Sequence, residues 1–232
     1  MALEDELKTA VAQRYRMAWD ITAATSVPDE STVNLGNQGK RIEATILYAD
    51  LADSTKLVDQ YPDDFAAEIY GTFLHCASRI IRANGGTITA FDGDRVMAVY
   101  MGAQKEADAC WTGFRINRAM IDIIRPALRA QYGDNVYLPS HTVGIDNSTV
   151  LVVKEGVRGD NDLVWVGRAA NHAAKLCTLD HSYQTRATPE VVAVLPAALL
   201  TTVSATPVWE AESWPEMDNR VIFRSSCVAT GM

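Results

Sequence analysis

The sequence is poor in cysteine and short of positive charge, and each shortage rules something out. Its four cysteines, Cys76, Cys110, Cys177 and Cys227, lie far apart and form no C-x-x-C pair. That spacing offers neither a disulfide framework nor a zinc site, and reads as buried free thiols in a reducing cytosol. Lys and Arg number 21 against 29 Asp and Glu, a formal net charge of −8. A broad nucleic-acid surface needs clustered cations, so no nucleic-acid partner is expected. A phosphate ligand stays open, because metal ions and helix N-termini handle it locally. No uninterrupted apolar run approaches a membrane span. The opening Met1-Ala2-Leu3-Glu4-Asp5-Glu6 is acidic where a signal peptide is basic and then apolar. A soluble, cytoplasmic protein without membrane contact is expected.

Familiar catalytic motifs are missing too. There is no G-x-x-x-x-G-K-[ST], no G-x-G-x-x-G and no G-x-S-x-G, and His75, His141, His172 and His181 are scattered. P-loop, Rossmann and hydrolase-triad chemistry therefore drop out. What remains is ordinary globular composition, 48% hydrophobic and 22% charged over 232 residues. That suffices for one large domain, or a domain with an appendage.

Residues 3–19 read as an amphipathic helix, with Leu3, Leu7, Val11, Tyr15 and Trp19 at four-residue intervals. Such a helix buries nothing alone, so its stripe is expected to dock on the domain as core extension, or on a second subunit. The turn-rich stretch 25–40 reads as a linker. The chain thus divides into an N-terminal helix and linker, 1–40, and a main domain, 41–232.

The main domain is organised around Arg41 to Tyr100. A strand from Ile42 ends at Asp50; a second, Thr87 to Phe91, is followed by an Asp92-Gly93 turn. An Asp-Gly pair between alternating apolar residues is a hairpin signal, and it places Asp94 first in the outgoing strand to Tyr100. Pairing of the long strands brings Asp50 and Asp94 to one end of a sheet, where two carboxylates repel and invite divalent cations. Between them a short helix begins near Ser54, capped by Asp53 or Ser54, and the N–H groups of 52–55 form a cradle for a phosphate chain. Pro62-Asp63-Asp64 opens a long helix with Phe65, Ile69, Phe73, Ala77, Ile80 and Ile81 on one stripe; Gly85-Gly86 ends it.

A helix over 104–131 is expected to kink or split at Pro126. Strands at 141–145 and 149–153 flank a turn at Asp146-Asn147-Ser148, and a glycine-containing loop leads to a strand at 163–166. A helix from Gly167 to about Leu176 carries Asn171 and Lys175. A brief strand at 184–186, a helix start at Thr188-Pro189-Glu190 and strands near 206–210 and 219–224 complete the chain. This order predicts an α+β sandwich, with helices packed on a mostly antiparallel sheet.

Four segments carry a family resemblance. Tyr48-Ala49-Asp50-Leu51-Ala52-Asp53-Ser54-Thr55 resembles the F-x-D-h-x-x-[SF]-T signature of class III nucleotidyl cyclases. Phe91 to Tyr100 resembles that family's G-D hairpin, and Val143-Gly144-Ile145-Asp146 its G-I-x-x-G strand, without the second glycine. Val166 to Lys175 resembles its G-x-x-V-N-x-A-[SA]-R helix. The match covers roughly residues 41–225 and implies the ferredoxin-like catalytic domain of that family. It implies that Asp50, Asp94 and the Leu51 carbonyl hold two Mg²⁺ or Mn²⁺ ions per site. One acidifies the ribose 3′-hydroxyl and the other neutralises the leaving pyrophosphate, as the hydroxyl attacks the α-phosphorus in line. The amides of Leu51, Ala52, Asp53, Ser54 and Thr55 would hold the β- and γ-phosphates of a nucleoside triphosphate. Asn171 would orient the ribose, and Lys175 would face the transition state. In this family each site is shared, which implies a homodimer with Asp50 and Asp94 of one chain facing Asn171 and Lys175 of the other.

Departures from the family pattern bear on the base. Where purine cyclases place two polar base-reading residues, this chain has Ala90 and Val164, neither able to hydrogen bond. Losing both partners removes the discrimination that a hydrogen-bonding site provides. Tyr48, Arg95 and Trp165 are candidates to fill that pocket. Lys175 stands where the family usually has Arg, keeping charge but losing the bidentate fork. Three readings compete. The first is a pyrimidine cyclase resembling the uridylate and cytidylate cyclases of the Pycsar antiphage system, with UTP preferred on whole-sequence resemblance and CTP as alternative. That reading implies a separate effector protein sensing the cyclic nucleotide. The second is an adenylate or guanylate cyclase with an unusual pocket, and the third an inactive nucleotide-binding module.

Overall fold

The computed structural model describes residues 2–231; Met1 and Met232, the outer ends of the two expected segments, lie outside the described residues. The first half of the chain runs α1 (Leu3–Arg16), β1 (Asp20–Ala23), β2 (Gln38–Ala52), α2 (Ser54–Gln60), α3 (Asp63–Ala83), β3 (Thr87–Asp92), β4 (Arg95–Tyr100) and α4 (Lys105–Ala119). A π-helical turn (Met120–Ile124) joins α4 to α5 (Arg125–Tyr132). Then come β5 (Ser140–Val157), β6 (Asp160–Val166), α6 (Arg168–Leu176), β7 (Thr185–Ala187), α7 (Pro189–Val192), α8 (Ala197–Leu200), β8 (Glu210–Trp214) and β9 (Arg220–Ser225). Among the described residues no helix is long and apolar enough to cross a membrane. All four cysteines are free, with Cys110 and Cys177 buried and Cys76 and Cys227 half-buried.

Two compact units divide the chain: Met1–Glu43 with Thr149–Gly167, and Ala44–Ser148 with Arg168–Met232. In the first, β1 pairs in parallel with the start of β2, from Asp20↔Gln38 to Ala23↔Arg41. The end of β5 forms an antiparallel hairpin with β6, from Leu151↔Val166 to Val157↔Asp160. Gly39 is required there, since a Cβ would stand 2.7 Å from Leu151 Cδ1 and 3.2 Å from the Val152 carbonyl oxygen. Arg14 ties the end of α1 to this unit through an ion pair with Glu155.

The second unit carries the main sheet path, in the order β3-β4-β2-β5-β7-β9-β8. β2 and β4 run antiparallel from Thr45↔Tyr100 to Ala49↔Val96, and β5 pairs with β7 in parallel. Period-two alternation sends Leu47, Ala49 and Leu51 into the helix-side core, with Ile69, Phe73 and Ile81 of α3 and Phe114 of α4. Each such large side chain contributes ~1.5–3 kcal/mol by leaving water. The same alternation turns Tyr48, Asp50 and Ala52 to the opposite face, where all three are half-buried.

Several expectations require correction. The first helix ends at Arg16 and buries none of its residues; Leu3, Leu7, Val11 and Tyr15 are exposed, Tyr15 at 86%. Its stripe is therefore not core extension within the chain. β2 begins at Gln38, so the end of the expected linker is strand, and β1 was too short to show periodicity. Asp146-Asn147-Ser148 makes no turn: β5 runs through it, because Asp146 is 0% exposed and bonded to Arg168 and Thr188. β8 starts at Glu210, four residues later than read. Pro126 does divide its helix. It has no N–H for an i→i−4 bond, and the π turn ahead of it closes instead with the Arg125 N–H donating to the Met120 carbonyl.

Candidate active site

The hairpin turn has the expected two residues but lies one position later in the chain. Asp92 pairs with Arg95, so Gly93 and Asp94 form the turn, with Gly93 at φ +60°. Asp94 is thus a turn residue rather than the first of β4. Because Ala49 pairs with Val96, Asp50 arrives beside this turn. Arg95 Nε donates to Asp50 Oδ2 at 3.2 Å, and its guanidinium lies 6.0 Å from the Tyr48 ring centre. Burial pushes the Asp50 carboxyl up to about 6; the Arg95 guanidinium opposes this, and the charges of Asp94 and Asp92 reinforce it. Asp94 Oδ2 is buried and takes no hydrogen bond among the described residues. An unpartnered buried carboxylate oxygen near a second, half-buried carboxylate suits a hard divalent cation. Among the described residues no cluster of three or more His, Cys, Asp or Glu could hold a metal. Two carboxylates would supply part of a shell, leaving the rest to a backbone carbonyl such as that of Leu51, phosphate oxygens and water, as Mg²⁺ accepts.

Beyond Asp50 the chain turns into α2. Asp53 occupies the N-cap position but does not cap: its φ is +58°, and its carboxylate instead accepts from Lys56 Nζ at 2.9 Å. Residues 50–55 form one wall of a cleft of about 420 Å³. The facing wall comes from Thr142 and residues 177–181. Cys177 underlies it, its thiol donating to the Tyr48 carbonyl at 3.0 Å, and burial pushes that thiol well above its ordinary range.

Helix α6 packs directly on β5. A Cβ on Gly144 would stand 2.1 Å from the Ala173 carbonyl oxygen, so only glycine allows this approach. The start of α6 is pinned by Arg168, which donates to Asp146 Oδ2 at 3.1 Å and pairs with Glu190 at 2.6 Å. Ala169, Ala170, His172, Ala173 and Leu176 are buried, which leaves Asn171 and Lys175, one turn apart, facing outward. Neither lines the cleft holding Asp50. Lys175 Nζ has Met217 Sδ at 3.6 Å.

Of the base-pocket candidates, Ala90 and Tyr48 fall into one row. Ala90 pairs with Met97, and Met97 pairs with Tyr48, so the three stand side by side on one face of β3, β4 and β2. Val164 and Trp165 belong to the other unit, on β6 opposite Val153 and Val152, with Val164 exposed.

No model of a known protein family matches the chain. Individual relatives do. It is 44% identical over 227 residues to a uridylate cyclase of Xanthomonas perforans, covering 97% of each chain. It is 45% identical over 219 residues to one of Burkholderia cepacia, covering 94% of each. A third, from a Rhodovulum species, is 35% identical over 233 residues with 97% of each covered. The chain belongs to the uridylate cyclase family. Among solved structures, a bacterial light-regulated adenylyl cyclase superposes with TM-score 0.69 at 20% identity, over 88% of this chain and 56% of that one. The adenylyl cyclase CyaB from P. aeruginosa gives 0.67 at 20% identity, over 84% and 98%. These show the fold, the class III cyclase fold that the four motifs imply.

In this member of the uridylate cyclase family, Met97, Thr142 and the 177–181 wall went unread in the sequence. Met97 was hidden by the turn: one at Asp92-Gly93 sets Arg95 opposite Ala90, and the shift to Gly93-Asp94 brings Met97 there instead. The wall carried none, because its proximity to residues 50–55 is made by tertiary packing alone.

Proposed function

We propose that the chain is a uridylate cyclase: it converts UTP to 3′,5′-cyclic UMP and pyrophosphate at two composite sites of a homodimer. The observation that carries this reading is the placement of Asp50, near the end of β2, beside the β3–β4 turn that carries the buried, unpartnered oxygen of Asp94. Family membership directs it to UTP. Asp50, Asp94 and the Leu51 carbonyl would hold two divalent cations, Mg²⁺ or Mn²⁺. Bound there, the ions would acidify the 3′-hydroxyl and neutralise the departing pyrophosphate. The backbone amides of residues 51–55 would donate to β- and γ-phosphate oxygens. Asn171 of the second protomer would hold the ribose so that its 3′-oxygen lies in line with the bond from the α-phosphorus to the bridging oxygen. Lys175 of that protomer would offer its ammonium to charge developing on the α-phosphoryl oxygens. Ala90, Met97 and Tyr48 would line the base end, with Val164 and Trp165 as further candidates; Ala90 and Met97 offer no hydrogen-bond partner to a purine's distinctive groups.

The resemblance to the Pycsar cyclases extends the reading to antiphage defence, with cyclic UMP sensed by a separate effector protein. Purified protein with Mn²⁺ and each of the four triphosphates tests the chemistry. Cyclic UMP is expected as the dominant product, and a dominant purine product would end the proposal.

A further inference from the structure

The cleft facing Asp50 has one feature outside every motif above. Of the residues lining it, His181 is the one whose side chain can carry positive charge; the remainder are acidic, polar or apolar. A polyphosphate laid along residues 51–55 would meet it from the facing wall.

The position of His181 is built rather than incidental. Arg186 on β7 is 1% exposed, and its guanidinium organises the loop that precedes it. Its Nη1 donates to the carbonyls of Asp180 at 2.6 Å and Tyr183 at 3.1 Å, and its Nη2 to Asp180 Oδ2 at 2.9 Å. Glu212 holds Nε from behind at 2.9 Å. Ser182 N–H donates to Asp180 Oδ1 at 2.9 Å, and Gln184 Nε2 to the His181 carbonyl at 3.1 Å. A buried guanidinium with four acceptors thus fixes the backbone on both sides of residue 181, which limits where the imidazole can sit.

The imidazole itself has one charged neighbour, Asp53, at the edge of ion-pair distance. Nε2 lies 3.8 Å from Asp53 Oδ2, beyond hydrogen-bond range, and Asp53 already has Lys56 as its closer partner at 2.9 Å. The ring makes no hydrogen bond among the described residues, and its side chain is 47% exposed at the cleft mouth. A donor on a fixed loop opposite a phosphate cradle, with its one charged neighbour beyond hydrogen-bond distance, is arranged for a ligand oxygen.

We infer that His181 is a substrate contact for the terminal phosphates of the triphosphate, contributed by the same protomer as Asp50. This rests on the uridylate cyclase reading of the site. Steady-state kinetics with UTP, and inhibition by pyrophosphate and by UMP, are measured on wild type, H181A, H181K and D50A. For H181A, KM for UTP and the inhibition constant of pyrophosphate should both rise about tenfold, the size of one hydrogen bond to a charged group. Its kcat should stay within about threefold and UMP inhibition should not move, while H181K should restore most of the pyrophosphate affinity. Unchanged KM and pyrophosphate inhibition in H181A would overturn the inference. So would equal weakening of UMP and pyrophosphate without rescue by lysine, since that marks a disturbed loop. D50A separates the two readings: full turnover in that variant defeats the site reading itself, whatever H181A does.

Discussion

Asp50 is half-buried, bonded to Arg95 and within the field of Asp94, and these neighbours pull its proton in opposite directions. Burial dominates, so the folded chain holds that proton more tightly than the unfolded chain does. With no cation bound, this group lowers stability as pH climbs from 3.8, its ordinary value, to about 6, and adds nothing further above. A cation requires the ionised form, so its affinity rises through the same window and is flat beyond it. At pH 5 it should be roughly tenfold weaker than at pH 7. The rise in Tm on adding a fixed Mn²⁺ concentration should accordingly be smaller at pH 5 than at pH 7. Asp50→Asn should shrink the rise and remove its dependence on pH. Equal increments at both pH values in the wild-type protein would show that Asp50 is not a ligand.

Among the elements, α6 depends on one missing Cβ. Alanine at Gly144 places a methyl 2.1 Å from the Ala173 oxygen and 2.8 Å from Leu176 Cβ, against backbone that cannot rotate away. Gly144→Ala should cost about 3 kcal/mol in urea denaturation, with turnover lost in proportion to the displacement of Asn171 and Lys175. A change below about 0.5 kcal/mol would mean that α6 does not pack as described. That glycine was visible in the sequence as part of a G-I motif, whereas its reason, a carbonyl from a helix 29 residues later, was not. The contrast holds more widely. Apolar runs buried on both faces, such as Ala44 to Leu47 of β2, and helices with a full stripe, such as α3, were legible because burial writes an apolar run or a period into the chain. Asp146-Asn147-Ser148 misled because its composition is that of a turn, while its conformation is set by Arg168 and Thr188, which lie 22 and 42 residues away. Asp50 and Asp94 could be brought together on paper by one hairpin and one antiparallel pair. His181 could not, since its place opposite Asp53 follows from a loop wrapped around buried Arg186.

For the molecule as a whole, the decisive fact is a separation. Asn171 and Lys175 face outward and do not line the cleft containing Asp50, so the proposed site needs a second copy. A two-fold pair makes two sites, each with the aspartates of one protomer and the α6 residues of the other. Asp50→Ala and the double variant Asn171→Ala with Lys175→Ala should therefore each be inactive as homodimers. Mixed in equal amounts and allowed to exchange subunits, half of the dimers become heterodimers. In each of those, one site collects both lesions and the other collects neither. The mixture should recover about a quarter of wild-type turnover, half the dimers with half the sites. The recovery should saturate with exchange time and fail when exchange is blocked by covalent cross-linking before mixing. A mixture that exchanges subunits and stays inactive would mean that the aspartates and the α6 pair must act from one chain, and the composite site would be wrong.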